Sequence, residues 1–195
     1  MSTETTGQFV EFKNERYYQI ENIDQMPAFF MSIVSHSDHW LFVSSNTGLT
    51  AGRVSSASAL FPYEAVDKIE DSVEHSGNKT ILRVQTDAGW VNWEPFSGLA
   101  MDGVQRNLYK HILGNKLCFE EINSPLNLSF RFTWAVSDEF GFVVESELIN
   151  HSAENIHVEV LDGLQNILPA AAPTEVQTNA SNLVDAYRLN EQMDE

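Results

Sequence analysis

The chain has 195 residues, 43% of them hydrophobic and 11% aromatic, which supplies apolar material for one substantial core and excludes a disordered polymer. Its 11 basic residues face 28 acidic ones, a formal net charge of −17, and that field repels nucleic acid and anionic membrane surfaces over a Debye length of about 8 Å. A single cysteine, Cys118, excludes an intrachain disulfide and reads as a structural thiol in an alternating run.

The first residues are polar and acidic where a secretory signal needs a cationic start and an apolar run. No segment approaches the roughly 18 consecutive apolar residues of a membrane helix. A cytoplasmic protein is therefore expected, and the Asn-X-Ser/Thr matches at Asn78, Asn127, Asn150 and Asn179 read as chance sequons.

From residue 8 to residue 162 the dominant pattern is period-two alternation in short runs separated by turn residues. Candidate strands are Phe9 to Lys13, Tyr17 to Ile23, Phe29 to Ser35, Trp40 to Ser44, Thr80 to Thr86, Trp90 to Glu94, Asn107 to Leu113, Lys116 to Ile122, Leu128 to Trp134, Phe142 to Asn150 and Ile156 to Asp162. Gly114 and Asn115 sit between two runs at the spacing of a two-residue hairpin, with glycine where a type II′ turn needs positive φ. Asp138 to Gly141 and Asn150 to Asn155 read as the next connections, so 107 to 162 is expected to form an antiparallel meander. Phe61 to Asp71 fits neither period and reads as a short helix or an ordered loop. After the loop-like Leu168 to Thr174, Leu183, Ala186, Tyr187 and Asn190 fall at helical spacing within Asn179 to Gln192. That run ends at Glu195 without a cap, which points to a helix continuing in a longer chain. The fold class expected is all-β, a two-layer antiparallel sandwich over 1–168, with a loop and linker helix over 169–195.

Few residues announce chemistry. In Phe42 to Arg53, Gly48 and Gly52 are too close for a phosphate loop and no Lys-Ser/Thr pair follows, while a dinucleotide fingerprint would need a third glycine and a helix. The stretch reads as a strand end and then a glycine-permitted turn, either purely structural or facing a ligand. His36 and His39 flank Asp38 in a connection between strands, a solvated turn rather than a metal site. Glu120 with Glu121 and Asp138 with Glu139 are adjacent acids in a very acidic chain, and neighbours on a strand point to opposite faces. Trp90 and Trp93, three apart on a strand, also lie on opposite faces, so one is expected in the core and the other exposed, where an indole can stack on a sugar ring.

Ser45-Asn46-Thr47-Gly48, Phe130 to Asn150 and the block Glu159 to Pro169 together resemble the N-terminal β-sandwich of large carbohydrate-active enzymes related to cellobiose phosphorylase. Leu49 and Thr50 stand where that family's loop has further glycines. The resemblance implies a supersandwich of the galactose mutarotase-like type, followed by a linker helix and an (α/α)6 barrel that carries the catalytic groups. It thus implies no catalytic residue, metal or cofactor in this chain. Its implied partners are carbohydrate, the downstream helical barrel of the same polypeptide and a second copy in a homodimer, with no nucleic acid and no membrane.

The function expected is a non-catalytic module of a glycoside phosphorylase or hydrolase that builds domain or subunit contacts and lends residues to the rim of the sugar site. Asn46 and Arg53 are the contact candidates in the loop, and Trp90 and Trp93 the stacking candidates. Alternatives are an aldose epimerase-like enzyme, with a His acid and a Glu base at the anomeric centre, and a plain carbohydrate-binding module.

Overall fold

The computed structural model describes residues 4–98, 102–168, 173, 175–176 and 179–180. Twelve strands follow one another: β1 (Thr6–Phe12), β2 (Glu15–Glu21), β3 (Phe30–Ile33), β4 (His39–Ser44), β5 (Leu49–Arg53), β6 (Gly77–Thr86), β7 (Gly89–Trp93), β8 (Val104–His111), β9 (Lys116–Asn123), β10 (Leu128–Ser137), β11 (Gly141–Asn150) and β12 (Val158–Gln165). They pair antiparallel into a six-stranded sheet, β1-β2-β8-β9-β10-β11, and two three-stranded sheets, β12-β6-β7 and β3-β4-β5. The fold is an all-β antiparallel sandwich, with one large sheet facing two small ones.

Alternation explains the core. Leu128, Phe130, Phe132 and Trp134 occupy every second position of β10 and are all at most 2% exposed. They meet Leu41, Val43, Leu49 and Ala51 from one small sheet and Leu82, Val84 and Trp93 from the other. Fully burying one such side chain is worth roughly 1.5–3 kcal/mol.

The other face of the large sheet is buried too, because the sheet curls back on itself. Lys13, at the β1–β2 tip, reaches Glu145 at 3.2 Å and Glu147 at 3.0 Å on β11, the opposite edge. Phe12 stacks on Tyr109 with ring centroids 4.9 Å apart, and the Arg131 guanidinium lies 5.0 Å from the Phe12 ring. Beneath this closure Glu120 accepts from Asn107 Nδ2 at 2.8 Å, Tyr109 OH at 2.6 Å and Arg131 Nε at 2.6 Å. Burial, reinforced by the Glu120 charge, pushes the Tyr109 hydroxyl well above the ordinary phenol range, so it stays a donor.

Glu121, the next residue, faces the inter-sheet core. It accepts from Trp93 Nε1 at 2.7 Å, the Phe96 N–H at 2.7 Å and Arg106 Nε at 2.8 Å. Both glutamates are 2% exposed. Each is a structural anchor, held on its own face of the sheet by its own arginine, as strand geometry requires of neighbours.

Each of the eleven runs read from alternation is a strand, and β5 is a twelfth that alternation does not reveal. Leu49 to Gly52 are buried on both faces, so the polar half of the pattern is missing. Gly52 is required there, since a Cβ would stand 2.6 Å from the Ser58 carbonyl oxygen and 2.8 Å from the Ala59 Cα. The β8–β9 hairpin forms, but its connection is four residues rather than two: Gly114 N–H bonds the His111 carbonyl at 2.8 Å, closing a turn through Ile112 and Leu113 with Gly114 at φ 73°. The meander ends at β11, because β12 crosses to the other layer and pairs with β6. Phe61 to Asp71 is ordered, closing on a 3-10 helix at Val66–Ser72 with Phe61 and Ile69 buried. Of the helix expected over Asn179 to Gln192, positions 179 and 180 are helical and the remainder lies outside the described residues.

Candidate functional site

The four candidate contacts are dispersed. Asn46 is consumed by the β4–β5 turn, its Oδ1 accepting from Gly48 N–H at 3.2 Å and its Nδ2 donating to the Glu70 carbonyl at 3.0 Å. Trp93 is wholly buried with its N–H on Glu121, so its ring has no face for a sugar; the core reading holds for it. Trp90 is 41% exposed, yet the Arg83 guanidinium lies 4.7 Å from its ring centroid, and His157 meets it edge-on at 5.4 Å. Arg83 is itself held by Glu159 at 2.6 Å, so the stacking partner of this indole is intramolecular.

Arg53 behaves differently. It does not sit on a projecting loop, as the glycine-rich stretch suggests, but at the exposed end of β5, paired across the sheet with His39. Directly after it the chain makes a γ-turn, in which Ser55 N–H bonds the Arg53 carbonyl at 2.6 Å around Val54 at φ 60°. A β-branched residue in the left-handed region is a strained outlier, and such strain gathers at functional positions.

Arg53 and His39 share a cleft of about 720 Å³ with the β10–β11 turn. Gly52, Ala57, Ser58 and Ala59 line it, and so do Asp138, Glu139 and Phe140 from the turn. Phe140 is 75% exposed. His39 Nδ1 is 2.6 Å from Ser37 Oγ, its ring stands edge-on to Phe142 at 5.0 Å, and Gly141 leaves room for its Nε2 where a Cβ would come within 2.8 Å. Asp138 Oδ1 meets His36 Nε2 at 2.8 Å. Among the described residues Arg53 has no ion-pair partner, and no three of His, Cys, Asp and Glu come together as a metal set.

Chemically the cleft brings guanidinium donors, carboxylate acceptors and an exposed aromatic ring to one lining. A hydroxyl both donates and accepts, so a polyol matches both kinds of group. The sequence singled out Arg53, set the Asp138 and Glu139 pair aside as uninformative in so acidic a chain and passed over Phe140; the register that sets His39 opposite Arg53 appears only in the structure, because β5 does not alternate. Cys118 is buried and lines neither of the two large clefts, and burial pushes its thiol up to about 11, which suppresses the thiolate. Among the described residues no helix is long and apolar enough to cross a membrane.

No protein-family model matches the chain, and a search of curated proteins finds no match.

Proposed function

We propose that this chain is the non-catalytic, supersandwich-type N-terminal module of a cytoplasmic carbohydrate-active enzyme, a glycoside phosphorylase or hydrolase, and that it docks on a downstream helical barrel. The observation that supports this reading most is β12. From Glu159 to Leu164 both faces of this edge strand are exposed, although Val160, Leu161 and Leu164 are apolar. Val160 is 56% and Leu161 66% exposed, and Ile167, just beyond the strand, is exposed as well. Apolar residues left exposed on both faces of an edge strand mark an interaction site. The block concerned is the same Glu159 to Pro169 stretch that carries much of the family resemblance.

On this reading the 195-residue chain alone turns over no disaccharide, with or without phosphate. Turnover by the isolated chain in a coupled sugar-release assay sinks it. Val160→Asp with Leu161→Asp should leave the fold intact by circular dichroism and abolish docking and activity in the longer polypeptide.

A second reading, a carbohydrate-binding module, is favoured by the Arg53 cleft, whose lining holds both donors and acceptors. Millimolar titration with neutral mono- and disaccharides, followed by amide chemical shifts around Arg53 and Phe140, tests it. Unmoved signals across the panel remove it.

A further inference from the structure

A second cleft, of about 660 Å³, opens between the β1–β2–β8 part of the large sheet and β3. Its body is apolar, lined by Phe9, Tyr18, Ile20, Met31, Leu108 and Ile112. His111, next to Lys110 on β8, turns its ring to the other face, where it meets Tyr17 at 5.0 Å. The charged lining residues are Arg16 and Lys110, with no carboxylate among the lining residues. In a chain with 28 acidic residues that is unusual, and the neighbouring cavities illustrate the contrast, with Asp138 and Glu139 at the Arg53 cleft and Asp24 at the one beside Asn46.

Lys110 stands apart from the other lysines near the sheets. Lys13 is held by Glu145 and Glu147, Lys79 by Glu74 and Glu94, and Lys116 by Glu15. Lys110 instead donates to the Ser32 carbonyl at 2.8 Å and, among the described residues, has no carboxylate partner. Burial pushes its ammonium below the ordinary lysine value, the mark of a charge that is desolvated without compensation. The register sets Lys110 opposite Tyr18, so Arg16, two residues along β2, is its diagonal neighbour on the same face. The Arg16 guanidinium lies 4.8 Å from the Phe9 ring centroid, at the apolar wall.

We propose that this cleft binds a small amphipathic anion, an alkyl or aryl carboxylate whose apolar body lies against Phe9, Tyr18 and Met31 and whose head group meets Lys110 and Arg16. The acidic field of the whole chain opposes anions in general. Binding therefore requires both parts of such a ligand, apolar contact to hold it and a carboxylate to complete the desolvated Lys110 through charge-assisted hydrogen bonds. The cleft volume lies within the range of small-molecule sites, about 300–1,000 Å³. This inference is independent of the carbohydrate reading.

The test is calorimetric titration of the 195-residue chain with octanoate and 3-phenylpropionate, compared with octan-1-ol and octylamine. Octanoate should bind about tenfold more tightly than octan-1-ol, and octylamine more weakly than either. Lys110→Met should lower octanoate affinity about tenfold while leaving octan-1-ol unchanged, and Lys110→Arg should retain the carboxylate preference. Circular dichroism establishes that each variant is folded, and Arg16→Gln provides a second exposed substitution that does not depend on tolerance at position 110. Equal binding of alcohol and carboxylate, preference for the amine, unchanged octanoate binding in both variants, or no octanoate binding to the folded wild-type chain at millimolar concentration overturns the proposal.

Discussion

Glu121→Ala removes one acceptor that three donors share. The Trp93 N–H, the Phe96 N–H and the Arg106 guanidinium all point at a carboxylate that is 2% exposed. Orphaning a buried neutral donor costs about 1–3 kcal/mol, and breaking a buried ion pair costs about 3–5 kcal/mol. These contributions do not add, because the donors relax together and the Arg106 side chain, 26% exposed, recovers part of its hydration. The expected loss is therefore about 4–6 kcal/mol, a large share of the 5–15 kcal/mol typical of a domain. At about 2–4 °C per kcal/mol for a chain of this size, the melting midpoint falls by about 10–20 °C. Glu121→Gln keeps the shape but turns an amide NH2 toward at least one donor, so it should lose about half as much. Urea unfolding followed by far-ultraviolet circular dichroism gives the energies, and the near-ultraviolet signal reports Trp93. A loss below about 1 kcal/mol for Glu121→Ala, at unchanged m-value, would refute the view that this carboxylate anchors the sheet interface.

Gly52→Ala places a methyl group against the Ser58 carbonyl and the Ala59 backbone and should destabilise by about 1–3 kcal/mol or more, read from the same urea curves. Arg53→Ala, at an exposed residue, should change stability by less than about 0.5 kcal/mol and, on the function proposed above, weaken activity or assembly of the enzyme that carries this module, a separation that parallel unfolding and activity assays check. The Lys116 hydrogen bond holds Glu15 below its ordinary value of 4.5, so the stability it contributes is present above that value and is lost as pH falls through the lower folded value. Glu15→Gln should consequently flatten the fall in melting midpoint below about pH 4.5, whereas an unchanged acid limb would assign that fall to other carboxylates. Iodoacetamide at pH 8 should leave Cys118 unmodified in the folded chain and alkylate it on unfolding, since burial both raises its pKa to about 11 and blocks access; mass spectrometry distinguishes the two.

Alternation along the chain was enough to locate eleven strands, to place Glu120 and Glu121 on opposite faces and to put Trp90 and Trp93 on opposite faces, but not to say that Trp93 is the buried one. These are local properties: in an extended backbone the side of each residue follows from parity alone. Parity carries no information about β5, whose small and apolar residues are covered on both faces. Nor does it reveal that β12 leaves the meander to pair with β6, some 75 residues earlier. It gives no sign that the sheet curls until Lys13 meets Glu145 and Glu147. The candidate sites depend most on such long-range closure. Arg53 joins Asp138 and Phe140, and Arg16 joins Lys110, only because separate hairpins converge in space, and in so acidic a chain no local pattern distinguishes those side chains from solvated ones. The sequence by itself thus determined the all-β class, most of the strands and which residues of a strand share a face, while the tertiary structure alone decided which face is inward, which charges became structural anchors and which were left facing an open cleft.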